Sequence, residues 1–281
     1  MKKFLLKFSL SLLVFLIVIE IVSFFLIQSN VIYNRNYIYP GSEIYRSITK
    51  SKKKSNAKIL LLGDSVGNQL FPSEKSNDTI NSLTSNQAIS IVGQYILLQN
   101  YLETGNRPTK VVLLYSPFSL KNNLDQKFTF HYFIKPFYKK EYIHFFSELA
   151  IQQIDKIPFY KYSQVPHIKV SSWAPEFKSK DSINFSFLSP ISGEYLKKIK
   201  SLSSKYSFEF VLIPVPTKKS RLKEILNFDF SEAEIYFIKN LLDSYFDKLV
   251  YLKDELFVDD VHLKKPEVYF SQIKSIIIND E

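Results

Sequence analysis

Lys58-Ile59-Leu60-Leu61-Leu62-Gly63-Asp64-Ser65-Val66-Gly67-Asn68 is the stretch on which the fold turns. Four apolar residues stop at Gly63, and an acid and a hydroxyl follow at once. A short apolar run bounded by glycine predicts a buried strand over about 58–62. A serine just past its end, with a helix to follow, suits a nucleophile. The start of that helix offers unpaired N–H groups to negative charge forming there. Gly-Asp-Ser also makes ordinary turns, so the motif needs support from elsewhere in the chain.

Outward from this strand, the pattern repeats. Ile91, Tyr95, Leu98 and Leu102 recur at helical spacing between Thr84 and Gly105, with Gly105 where a helix would end. Lys110–Tyr115 is a second predicted strand, running into Ser116-Pro117. Strand, helix, strand in that order predicts a parallel sheet. Further on, Ile191, Tyr195, Ile199, Leu202 and Tyr206 mark a helix, Phe208–Ile213 a strand closed by Pro214 and Pro216, and Leu249–Leu252 a last short strand. Ser231-Glu-Ala-Glu234 reads as a capping box opening a helix through Ile235, Ile238, Leu242 and Tyr245. Tyr269, Ile273, Ile276 and Ile277 line a final helix, with Pro266 near its start. The expected fold class is α/β: a three-layer α/β/α, flavodoxin-like domain over 57–281 with about five parallel strands.

Residues 118–188 break this alternation. They are dense in aromatics, Phe128, Phe130, Tyr132, Phe133, Phe137, Tyr138, Phe145, Phe146, Phe159 and Tyr160 among them, and are read as an insertion. It serves either as a substrate-facing lid or as a unit packed by its own side chains.

The N-terminus predicts a membrane anchor over 1–28. Phe8 to Ile27 is almost wholly apolar and about 20 residues long, enough to cross a hydrocarbon core. Lys2, Lys3 and Lys7 precede it and no Lys or Arg follows until Arg35, which keeps the N-terminus inside and sends the rest outward. The alternative, a cleaved signal peptide, is disfavoured by the length of the run and by the lack of a small-x-small site near Phe24–Asn30. Glu20 is the one acid in the span. Residues 29–56, polar and carrying Pro40-Gly41 and Lys52-Lys53-Lys54, read as a connector.

Composition narrows the chemistry. Apolar residues make up 46% of the 281, so the chain is globular. The net charge of +10 is scattered and accompanies no nucleic-acid-binding signature, so no nucleic-acid partner is expected. With no cysteine there is no disulfide, thiolate zinc site or cysteine nucleophile. No Walker A loop, GxGxxG or HExxH occurs, and no cofactor or metal is expected, although Asp64, Asp259, Asp260 and His262 are all potential ligands.

Support for Ser65 comes near the far end. Of four histidines (His131, His144, His167, His262), the last sits in Phe257-Val-Asp259-Asp260-Val261-His262-Leu263, between the last strand and the last helix. In a parallel sheet Ser65 and His262 both follow strands at their carboxyl ends, the edge where open α/β sheets bind ligands. The three-residue step lets Asp259 reach Nδ1 and leaves Nε2 for the serine proton.

Gly-Asp-Ser after the first strand with Asp-x-x-His before the last helix resembles the SGNH (GDSL-type) hydrolase superfamily, over about 57–278. The resemblance implies Ser65 as nucleophile, His262 as general base and Asp259 as its orienting carboxylate. It also implies an oxyanion hole made by the Ser65 N–H, a glycine N–H and an asparagine side chain. Gly93 is the candidate glycine. The superfamily's Gly-x-Asn-Asp is replaced here by Ser116-Pro-Phe-Ser119, so Asn122 and Asn123 are the nearest candidates for the amide. Anchored relatives imply a membrane-held, extracytoplasmic esterase or O-acyltransferase acting on O-acetyl groups of an acylated carbohydrate or other ester, in company with envelope polysaccharide machinery. The altered block leaves two alternatives: an inactive SGNH-like domain binding polysaccharide or a partner, and a lipid or thioester hydrolase.

Overall fold

The computed structural model describes residues 1–28, 42–87, 89–124, 126–155 and 186–279. The first helix is α1 (Lys2–Gln28). Its Lys2–Val22 portion has a mean hydropathy of 2.5 and is nowhere buried, so it is long and apolar enough to cross a membrane.

The α/β domain is built on four parallel strands, β1 (Ile59–Gly63), β2 (Ile80–Ser82), β3 (Lys110–Tyr115) and β4 (Glu209–Pro214). Their order is β2-β1-β3-β4, the doubly wound arrangement. Register places Leu60 beside Val111 and Leu113 beside Leu212. Side chains alternate with period two. Leu60, Leu62, Val111, Leu113 and Tyr115 face one apolar layer, while Ile59, Leu61, Val112 and Leu114 face the other. The first layer holds helices α2 (Ser42–Ser51), α4 (Ile91–Glu103) and α6 (Pro190–Tyr206). The second is covered by the short α3 (Ser65–Leu70) and the terminal α8 (Phe270–Asn279), through Val66, Leu70, Ile273 and Ile277. Helix α5 (Glu148–Ile154) belongs to the inserted segment, and α7 (Lys239–Asp247) precedes the last strand.

Four features differ from the sequence reading. The expected Leu249–Leu252 strand shrinks to β6 (Tyr251–Leu252) and leaves the main sheet, pairing in parallel with β5 (Thr217–Lys218). The edge strand β2 was not foreseen. Its Asn81 and Ser82 are buried and polar, so it carries no apolar run. The capping box does not form, because Ser231 donates to Asp229 instead, and the chain breaks at Phe237, whose φ of 55° is left-handed, before α7 begins. Finally, 42–51 of the expected connector is helix α2, with Ile44 and Ile48 in the core. Lys50 fastens it, donating to Ser73 O (3.0 Å), Ser76 Oγ (2.6 Å) and Ser82 O (2.8 Å). Burial lowers the Lys50 pKa, with the nearby Glu74 charge opposing.

Within the expected insertion, residues 118–124, 126–155 and 186–188 are described. Phe128, Phe130, Phe133, Phe137 and Phe145 are buried in the same apolar cluster as the sheet. These rings are core, continuous with the domain, and not a separate unit. Phe159, Tyr160 and His167 lie outside the described residues.

Candidate active site

Ser65 is the first residue of α3, directly after β1. Asp64 is the N-cap. Its Oδ1 accepts from the N–H of Val66 (3.1 Å) and Gly67 (3.4 Å), and its Oδ2 from the Ser119 hydroxyl (3.1 Å). Asp64 is almost wholly buried, and burial pushes its carboxyl pKa up although Ser119 and the two N–H groups pull the other way. This carboxylate holds the turn and makes no hydrogen bond to His262, whose charge pulls its pKa down.

Two glycines let this turn form. A Cβ on Gly63 or on Gly67 would lie 2.9 Å from Leu114 O. Strand β3 thus crosses tightly over the start of α3, and only glycine leaves room for it.

His262 arrives from the other end of the domain. Its Nε2 lies 3.0 Å from Ser65 Oγ and its Nδ1 2.8 Å from Asp259 Oδ2. The other carboxylate oxygen of Asp259 accepts from the N–H of Val261 (2.9 Å) and His262 (2.8 Å). One acid therefore closes the turn and orients the ring. Its pKa sits at about 2: slight burial raises it, but the two N–H groups and the imidazole outweigh that. Because its side chain is 56% exposed, the carboxylate contributes mainly geometry, its charge being screened by water. Asp260 turns away, 3.2 Å from Lys218 Nζ.

The chain Asp259–His262–Ser65 has the geometry of a nucleophile, a base and the group that orients the base. It can remove a proton from Ser65 Oγ as that oxygen attacks an electrophile. Ser65 and His262 are only partly buried, so a substrate can reach them.

The expected oxyanion donors fare differently. Among the described residues no hydrogen bond uses the Ser65 N–H, so that donor is free. Gly93 lies inside α4 with a Phe133 ring carbon 3.0 Å from where its Cβ would be. Packing explains this glycine, and no bond links it to Ser65. Asn123 spends its Oδ1 on the Leu124 N–H (2.7 Å). The Asn122 backbone carbonyl accepts from Ser189 Oγ (3.0 Å) and Ser192 Oγ (3.1 Å). Among the described residues no hydrogen bond links either asparagine to Ser65. His144 pairs with Glu103 at 2.8 Å. Among the described residues no group of three His, Asp or Glu side chains forms a metal site.

Two residues at the site had no sequence signal. Gln69 grips the Leu263 backbone, donating to its carbonyl (2.7 Å) and accepting from its N–H (2.9 Å). Asn68 accepts from Ser73 N–H (3.2 Å) and Thr84 Oγ1 (3.0 Å). Both are amides on the exposed side of α3, and a spacing i, i+3 or i, i+4 from Ser65 was their only trace in the sequence.

No protein-family model matches the chain, and no curated protein matches it. A solved structure from Streptococcus pneumonia, provisionally described as a platelet activating factor, is similar at 14% identity, with 83% of this chain and 91% of that chain covered and a TM-score of 0.35. A likeness that distant carries no argument about chemistry.

Proposed function

We propose that this chain is a membrane-anchored, extracytoplasmic serine hydrolase or O-acyltransferase of the SGNH type, acting on O-acetyl or related esters of envelope or exported polysaccharide. The observation that carries the reading is the unbroken run of contacts from Asp259 Oδ2 through the His262 ring to Ser65 Oγ, at 2.8 and 3.0 Å.

Ser65 Oγ attacks the ester carbonyl carbon while its proton passes to His262 Nε2. Asp259 stabilises the imidazolium and holds its Nδ1–H. Negative charge gathers on the former carbonyl oxygen, beside the free Ser65 N–H. Collapse breaks the ester C–O bond, and the leaving alkoxide takes the proton from His262. The acyl-Ser65 intermediate is then opened by water, or by a sugar hydroxyl, with His262 again the base. The polysaccharide and the outward orientation rest on the SGNH resemblance, the apolar α1 and the placing of Lys2, Lys3 and Lys7 before it.

The test is hydrolysis of 4-nitrophenyl acetate and release of acetate from O-acetylated polysaccharide by the detergent-solubilised full chain. Turnover by the wild type that disappears in Ser65→Ala supports the reading. Equal rates in both proteins overturn it. Ser116-Pro-Phe-Ser119, standing where the superfamily has Gly-x-Asn-Asp, favours a second reading, a binding domain without turnover. Polysaccharide binding with no Ser65-dependent turnover would select it.

A further inference from the structure

The superfamily's asparagine is missing after β3, yet an amide stands one helical turn beyond the serine. Val66, Gly67 and Leu70 are the buried side of α3, which leaves Ser65, Asn68 and Gln69 on its open side. Residues at i and i+3 are neighbours on a helix surface, so Asn68 borders Ser65.

The orientation of the Asn68 amide is set by chemistry. A backbone N–H can only donate, so the atom facing the Ser73 N–H at 3.2 Å is Oδ1. The Thr84 hydroxyl at 3.0 Å engages the same oxygen. Nδ2 is therefore the remaining end, and it has no partner among the described residues. Gln69 differs, since both ends of its amide are consumed by Leu263. Two backbone donors after β2 are consumed too: Ser85 N–H goes to Gly63 O (3.3 Å) and Asn86 N–H to Glu43 Oε2 (3.1 Å). Asn68 Nδ2 is thus a side-chain amide donor with no partner among the described residues, one helical turn from the serine, on a carboxamide held in place through its oxygen.

We propose that Asn68 Nδ2 donates a hydrogen bond to the ester carbonyl oxygen as charge develops on it. This rests on Ser65 being the nucleophile. Such a donor acts chiefly on kcat, because its bond strengthens as the oxygen becomes an oxyanion. No bond is made or broken at Asn68.

Asn68→Asp separates this role from a structural one. It keeps oxygens for the Ser73 N–H and the Thr84 hydroxyl and replaces only the free NH2. The expected result, on the full chain with 4-nitrophenyl acetate, is a loss of about 10²–10³ in kcat on the plateau of the pH–rate profile, with KM and Tm little changed. Asn68→Ala should show the same kcat loss together with a lowered Tm. Ser65-dependent turnover that survives Asn68→Asp within about threefold, or a loss confined to KM, overturns this inference alone. Absence of Ser65-dependent turnover in the wild type overturns it together with the reading on which it rests.

Discussion

Gln69 and Leu263 are 194 residues apart, and one side-chain amide joins them by two hydrogen bonds. Gln69 lies one turn beyond Ser65, and Leu263 follows His262. The clamp therefore ties the serine's helix to the histidine's loop and fixes the 3.0 Å gap between them. Removing it in Gln69→Ala should let the loop drift. A displacement near 1 Å can cost about 10²-fold in rate. We expect kcat/KM for a small ester to fall by up to that factor, with a stability loss of about 1–2 kcal/mol by denaturant unfolding. An unchanged rate would mean that Asp259 and the backbone bridge between Phe257 and Leu263 hold the loop without the clamp.

Asp259→Asn should preserve the turn, since an amide oxygen can still accept from Val261 and His262, but it presents an N–H or a neutral oxygen to Nδ1. A histidine left in the wrong tautomer loses about 10⁴ in kcat. Because the Asp259 pKa sits at about 2, its carboxylate contributes stability above the ordinary carboxylate pKa and loses it only as pH falls toward 2. The acid limb of the wild-type pH–rate profile is then not Asp259, and no inflection from it should appear above about pH 3.

Asp64 has the opposite sign. Its folded pKa lies above the unfolded value, so the stability tied to its proton is full below that unfolded value and is lost as pH rises through the folded one. Asp64→Asn keeps an oxygen for the Val66 and Gly67 N–H groups and removes the titration. Thermal unfolding should show the wild type losing stability relative to this variant across that rise in pH. Asp64→Ala, which loses the cap, should cost about 1–2 kcal/mol at any pH. Parallel pH dependence in wild type and Asp64→Asn would contradict the assignment.

Gly67→Ala would put a methyl group 2.9 Å from Leu114 O. Overpacking of this kind costs about 1–3 kcal/mol, and the shift that relieves it moves α3 and with it Ser65. A lowered Tm together with a lowered kcat is the expected pair. An undisturbed Tm would show that β3 yields there at no cost.

Parts of this were legible in the sequence, for physical reasons. Strands β1 and β3 are buried on both faces, so Ile59–Leu62 and Val111–Leu114 read as continuous apolar runs. Asp259 and His262 were legible because a three-residue step is a local geometry. Edge strand β2 was not, because its Asn81 and Ser82 are buried polar residues, Ser82 bonding Phe71 O and Thr84 Oγ1, and it carries no apolar run. Helix α2 was hidden by its polar face, which Lys50 turns into an anchor on Ser73, Ser76 and Ser82. The break at Phe237 overrode a capping box that had no tertiary support. Asn68 and Gln69 were silent because a side-chain amide carries no motif. Its meaning lies in which backbone groups it meets, and those are distant in sequence.

The most direct test of Ser65 as an activated nucleophile is labelling of the full chain with a fluorophosphonate, followed by mass mapping of the adduct. The expected result is a single adduct on the peptide carrying Gly63-Asp64-Ser65, absent in Ser65→Ala and formed far more slowly in His262→Ala. Labelling that persists in Ser65→Ala, or a wild type that takes no label, would contradict it.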